Sequence, residues 1–355
     1  MKKLNKYNLL VITIILVTGC IEKIDLNIPY HGFDPVPMND GWSLSDPQSE
    51  NMDKAILEKA FLDFYNENRY PTIRSLIIVR NCKLVAEAYC KKESDREDLH
   101  NTMSVTKSIS SILTGIAIDK GLIDSVTTPV YKYLSDYFDA DEVKRSITIE
   151  QVLTMETGLE FDNDKHASEL FALRGNSLEY VLHKDLVFTP GTSWYYGNGN
   201  PHIISGIITE ITGLSEAEFA QENLFKPLGI SNYQWESLHD GLTYGAQGLW
   251  LTPRDMARIG LLMANSGKWN DKQVVSENWV HTSTKRQSDF QNYGYFWYPI
   301  DDKAFYAEGH GGQLIWVYPE KNLVVIITSD PYTKSWNLSE PYTDLFSEIL
   351  SSLKD

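Results

Sequence analysis

Apolar positions along the chain recur with two spacings, and the change from one to the other divides the sequence. Ile56, Ala60, Leu62 and Phe64 fall at helical intervals and predict a helix over 51–66. Leu76–Val79, the turn Asn81-Cys82-Lys83 and the run Leu84–Tyr89 read as a β-hairpin. Met103–Ile118 is apolar on most faces, with small residues interspersed, which predicts a buried helix ending before Gly121. From about 120 to 245 helical patterning dominates, with helices expected over Ile149–Met155, Ser168–Leu173, Ile203–Thr212 and Glu216–Phe225. Thr252-Pro253 launches a further helix over Met256–Asn265, with Asp255 in its first turn. Strand patterning returns at Tyr293–Tyr298, Gln313–Val317 and Leu323–Thr328, and a last helix covers Glu340–Leu353. Strands at both ends around a helical middle predict an α/β (α+β) fold. One mixed lobe is built from both termini, and a helical lobe is inserted in it.

Two segments stand outside this pattern. Lys2, Lys3 and Lys6 precede the apolar run Leu9–Val17, which ends in Thr18-Gly19-Cys20. A basic start, a short apolar core and small residues read as an export signal, too short for a comfortable membrane span. Its end resembles a bacterial lipobox. That resemblance implies cleavage before Cys20 and lipid on its thiol and new amino group, anchoring the exported protein to a membrane on the periplasmic or extracellular face. Residues 1–19 are thus expected as a lipoprotein signal peptide and 20–45, rich in Pro, Asp and Asn, as a tether. The folded domain is expected over 46–355.

Composition narrows the function classes. Hydrophobic residues make up 42% and charged residues 23% of the 355, which suits a globular protein with a sizeable core. The formal charge of −16, or −19 once Lys2, Lys3 and Lys6 leave with the signal, repels phosphate backbones, so no nucleic-acid partner is expected. Cys82 and Cys90 lie at opposite ends of one predicted strand, roughly 25 Å apart and beyond disulfide reach. No Cys/His cluster has zinc spacing, and no cofactor is implied.

The candidate chemistry begins at Ser104-Val105-Thr106-Lys107. A serine hydroxyl needs a base, and a lysine whose pKa is lowered by burial can serve. Residues three apart share a helix face, and the positive end of the helix favours charge developing at the serine. The motif alone is weak: about one or two Ser-x-x-Lys runs arise by chance in this length, and Ser351-Ser352-Leu353-Lys354 is another, on the last turn. Ser104 instead opens the most apolar helix. A turn-rich aromatic stretch, Pro190 to Asn198, places Tyr196 two residues before Asn198, where a phenol and an amide can face one point. Taken alone, Tyr196 reads as a tyrosine packed against the core with its OH satisfied. Glu308-Gly309-His310-Gly311-Gly312-Gln313 precedes a strand, and its glycines let a substrate approach the backbone. A backbone N–H there can pair with that of Ser104 as an oxyanion hole. His239-Asp240-Gly241 has no strand after it and is read as a decoy.

Ser104-x-x-Lys107, Tyr196-x-Asn198 and His310-x-Gly312, in that order, resemble the serine β-lactamase and penicillin-binding-protein superfamily, most closely its class C β-lactamase-like branch. Asp40-Gly41-Trp42, Ile147 to Leu159, Lys226-Pro227-Leu228-Gly229, Gly248 to Ala257 and Tyr293-Gly294-Tyr295 also look like family segments, so the resemblance spans about 35–355. It implies an antiparallel sheet flanked by N- and C-terminal helices, with the inserted helical lobe at about 120–245. It also implies a serine hydrolase. Ser104 would form an acyl-enzyme, Lys107 and Tyr196 would share the general-base work, and Tyr196 would protonate the leaving group. Asn198 would bind the substrate amide or Lys107. Gln313 N–H would complete the oxyanion hole beside His310 and Gly312.

One departure matters. True β-lactamases usually begin the third motif with Lys, where this chain has His310. A neutral imidazole gives a substrate carboxylate a weaker anchor. Small esters, amides or short peptides are therefore the expected substrates, ahead of β-lactams. Open alternatives are a D-aminopeptidase or penicillin-binding-type peptidase, a weak β-lactamase, and a non-catalytic surface binding lipoprotein. Tyr293, Tyr295, Trp297 and Trp316 are candidate pocket walls.

Overall fold

β-Branched residues supply the sheet. Ile73–Arg80 (β1) and Lys83–Tyr89 (β2) form the expected hairpin, and Leu323–Ser329 (β6) is buried along its whole length. The structure, a computed structural model, describes residues 26–66, 69–332 and 339–354. The leader and Cys20 lie outside the described residues. With Tyr298–Pro299 (β3), Phe305–Gly309 (β4) and Gln313–Tyr318 (β5), the strands make a six-stranded antiparallel sheet in the order β2-β1-β6-β5-β4-β3.

Alternation along these strands loads both faces. Leu76, Ile78, Leu314, Trp316, Val325 and Ile327 meet the terminal helices Lys54–Phe64 (α1) and Ser339–Ser351 (α6). Ile77, Val79, Ile315, Val317, Val324 and Ile326 meet the second core, which runs into Val105–Asp119 (α2) and the helical middle. That middle contains Gly199–Thr212 (α3) and Glu216–Ala220 (α4), and Pro253–Ala264 (α5) then returns to the sheet. Gly260 lets α5 sit on β6: a Cβ there would meet Val324 Cγ1 at 2.5 Å.

The structure corrects four expectations. Residues 26–45 are not a free tether. Ile28 N–H donates to Cys90 O, Phe33 stacks on Phe61 at 4.8 Å, and Leu44 pairs with Leu84. Of the strand expected over Tyr293–Tyr298 only Tyr298 is in one; the rest bonds elsewhere, Phe296 N–H donating to Leu153 O and Tyr295 N–H to Ser283 O, with Phe296 at φ 59°. The alternating aromatics there imitate a strand while packing in three directions. β4 was not anticipated, since Ala307-Glu308-Gly309 carries little strand propensity and is held by its neighbour β5. Helix starts also shift. Asp162 caps a helix over Asn163–Ala172 and Thr252 caps α5 at Pro253, each accepting first-turn N–H bonds ahead of the apolar periodicity.

Candidate active site

The nucleophile turn is built from both lobes. His100–Asn101 pairs with Leu249–Leu251, and Thr102 N–H donates to Leu249 O. The chain then reverses at Met103, φ 50°, an unusual conformation for a residue with a side chain, held by the bond from Met103 N–H to Asn101 Oδ1. Ser104 follows as the N-cap of α2, but its hydroxyl makes no capping bond. It is left for Lys107, whose Nζ lies 2.8 Å from Ser104 Oγ.

Lys107 is 1% exposed, and its amine also donates to Ala246 O at 2.9 Å. Burial brings its pKa down to about 7. The half-buried Tyr196 ring stands 5.0 Å from Lys107 Nζ. Burial pushes the phenol up to about 12, against the contact of its hydroxyl with Ser104, which pulls it down. Tyr196 is therefore a phenol rather than a phenolate at neutral pH. Trp194 lies 6.0 Å from it, backed by the buried Tyr293 at 5.7 Å.

Asn198 is at the head of α3, its N–H on Asn163 Oδ1 at 2.8 Å. Its side chain lies by the Tyr244 hydroxyl, while the second bond of Lys107 goes to Ala246 O. The expected contact of Asn198 with Lys107 is thus replaced by a backbone carbonyl. On the sheet side, the position that touches the nucleophile turn is Gly309, where a Cβ would meet Thr102 O at 2.4 Å and Met103 Cβ at 3.0 Å. Exposed His310 and Gly311 form the turn after it, with Gly312 N–H on Gly309 O. Gln313 opens β5, one strand further in, and its amide is spent on Ser329. The site therefore meets the sheet at Gly309 rather than Gln313.

Among the expected walls, Tyr293 alone backs the site. Trp316 is on the far face of the sheet, stacked on Phe346 at 4.5 Å. Trp297 packs on Phe305, and Tyr295 bonds Glu150. Ser351 bonds Ser347 O within α6, and Asp240 accepts from Ser177 and Leu242 N–H; both decoys are structural. No group of three or more His, Cys, Asp or Glu is placed to hold a metal among the described residues. The sequence reading missed Met103, Gly309 and the carbonyl of Ala246. The glycine-flanked run Gly245-Ala246-Gln247-Gly248 was the available signal for the last.

Buried Ser–Lys–Tyr geometry on this sheet agrees with the comparison to known proteins. The sequence model of a family described as Beta-lactamase matches residues 70–334. The chain belongs to the β-lactamase family. It is similar to the 6-aminohexanoate-dimer hydrolase of Paenarthrobacter ureafaciens, 25% identical over 307 residues and 74% of each chain. Among solved structures, a family VIII carboxylesterase superposes with TM-score 0.69 at 16% identity, covering 87% of this chain and 99% of that one. A class C β-lactamase superposes with TM-score 0.67 at 16% identity, covering 85% and 96%. The antiparallel sheet and flanking helices are thus the β-lactamase fold, and the residues that converge at Ser104 all fall within the matched segment.

Proposed function

We propose that this serine hydrolase of the β-lactamase family cleaves small esters or amides through an acyl-enzyme on Ser104. The observation that carries the reading is the 2.8 Å contact between Ser104 Oγ and a buried Lys107 whose pKa is about 7. Neutral Lys107 takes the Ser104 proton as Oγ attacks the carbonyl carbon. The resulting oxyanion is held by Ser104 N–H at the head of α2 and by the strand end at Gly309–His310. Tyr196, a phenol in contact with Ser104, hands a proton to the departing alkoxide or amine. Lys107 then passes the proton it took from Ser104 to Tyr196, restoring the phenol; neutral Lys107 accepts a proton from the water that attacks the acyl carbon and returns it to Ser104 Oγ as the acid departs.

The basic side chain at Ser104 and Tyr196 is Lys107, which acts as a neutral amine, and the third motif offers His310 on an exposed turn. A substrate carboxylate therefore has little to bind, which favours neutral esters and amides over β-lactams. The relatives named a 6-aminohexanoate-dimer hydrolase and a carboxylesterase support the same choice. The test compares short-chain p-nitrophenyl esters with nitrocefin. Faster turnover of nitrocefin would reverse the ranking, and retained turnover in Ser104→Ala would remove Ser104 as nucleophile.

The lipid anchor on Cys20, and with it an exported, membrane-bound location, belongs to the same proposal and rests on Val17-Thr18-Gly19-Cys20. Radiolabelled palmitate should enter the wild type and not Cys20→Ala.

A further inference from the structure

Behind Lys107 lies a buried seam that the mechanism above does not use. The chain from Thr243 to Ala246 threads between α2, α3 and α4. Ser205 of α3 donates to Thr243 O at 2.7 Å, Ser110 of α2 donates to Gly245 O at 3.1 Å, and Ala217 N–H of α4 donates to Thr243 Oγ1 at 3.3 Å. There is no room to spare: a Cβ on Gly245 would meet Pro201 O at 2.5 Å and Glu216 Oε2 at 2.9 Å. The same four residues carry both polar groups that face the site, the Ala246 carbonyl on Lys107 and the Tyr244 hydroxyl beside Asn198.

Glu216, the first residue of α4, is wholly buried against this strap. Neither of its oxygens has a hydrogen bond. The two hydroxyls beside it, on Ser110 and Ser205, already give their protons to strap carbonyls. While those bonds stand they can accept a proton from Glu216 but not donate one to it. A carboxylate cannot supply that bond and a carboxylic acid can.

We propose that Glu216 is a positioning residue for Lys107: its carboxyl group, in the acid form, closes the polar seam behind Thr243–Ala246 and so fixes the carbonyl that orients the Lys107 amine. Burial acts in the same direction and outweighs the contacts with Ser110 and Ser205, which lower it, leaving the carboxyl at about 8. No charged side chain offsets that burial. From α2 it meets Ser110, from α3 Ser205, and from the strap Gly245. His202, further along the same wall, is kept neutral by burial, and Glu218 of α4 points to its own cap at Ser215. Above about pH 8 Glu216 becomes a buried carboxylate, which draws the Ser110 and Ser205 protons off the strap carbonyls. The strap must then shift, and Lys107 loses the partner that holds it 2.8 Å from Ser104.

The inference rests on the Ser104–Lys107 reading, and the experiment separates the two. Steady-state hydrolysis of p-nitrophenyl butyrate is followed from pH 6 to 10 in wild type, Ser104→Ala, Glu216→Ala and Glu216→Gln, with folding checked by circular dichroism. Glu216→Ala should lower kcat about 10- to 100-fold with KM little changed, as a misplaced base does. Glu216→Gln, isosteric and able to donate at every pH, should restore most of kcat and lose the alkaline fall near pH 8. Turnover that survives in Ser104→Ala would sink the underlying mechanism. Ser104→Ala inactive, with Glu216→Gln keeping the wild-type alkaline fall, would overturn the role of Glu216 alone. That result stands even if Glu216→Ala does not fold.

Discussion

Lys107 Nζ sits 2.8 Å from Ser104 Oγ, and burial alone accounts for the fall of its pKa to about 7. Two measurable consequences follow from one displaced proton. As a base, Lys107 acts when neutral, so kcat/KM for a neutral ester should rise with pH through about 7. In the unfolded chain the amine titrates near its ordinary 10.5. Between these values the unfolded state holds the extra proton, so this group's contribution to stability grows as pH rises from 7 and is lost as pH falls through 7. Lys107→Met keeps the apolar stem and removes the buried amine. It should lower kcat by about 10³-fold while raising Tm at pH 7 by a few degrees, the usual trade at a strained site. A drop in Tm would contradict it.

Tyr196 makes a different prediction, because its hydroxyl stays protonated until about pH 12. It donates rather than abstracts through the neutral range. Tyr196→Phe should lower kcat about 10²- to 10⁴-fold yet leave the rise near pH 7 in place. Loss of that rise in the variant would assign it to Tyr196 instead of Lys107.

What could be read in the sequence was whatever periodicity and motif order encode. The hairpin at β1–β2, α2, and the split between sheet and helical lobe follow from apolar spacing, since each buries one face against a neighbour close by in the fold. Ser104 and Lys107 were legible because a helical spacing of three puts both on one face. Gln313 was placed too near the site, because a strand edge is defined by its partner, and nothing in Gly309–Gln313 tells which of two strands is outermost. The Ala246 carbonyl escaped for a related reason: a backbone acceptor has no residue type. The segment expected as a tether is polar in composition, yet Val36 O and Asp40 satisfy Arg254 from 218 and 214 residues away.

Gly309 tests the contact between sheet and nucleophile turn. A methyl group there would collide with the Thr102 carbonyl, and the backbone one residue before the left-handed Met103 has little freedom to retreat. Gly309→Ala should therefore lower kcat about 100-fold, through a displaced Ser104, with a smaller loss of Tm than a buried-core substitution causes. Unchanged kcat would mean that β4 does not set the position of the nucleophile.

Arg254 and Glu87 form the charged joint that ties the first turn of α5 to β2. Arg254 is 2% exposed and Glu87 3%. The guanidinium reaches Glu87 through two bonds of 2.9 and 2.6 Å, Asp40 at 2.7 Å and Val36 O at 2.7 Å. Removing Glu87 takes two bonds from the buried guanidinium and leaves it with Asp40 as its one carboxylate, a loss approaching the roughly 3–5 kcal/mol of a broken buried pair. Glu87→Ala should thus lower Tm by roughly 5 °C. Glu87→Gln, which keeps an acceptor, should lose less. Because the joint lies away from Ser104, whatever enzyme remains folded should retain the rise of kcat/KM near pH 7. Thermal unfolding of the three proteins at one pH, alongside that pH profile, checks both halves. A shift of Tm below about 2 °C in Glu87→Ala would show that water reaches Arg254 and that the joint is not buried in solution.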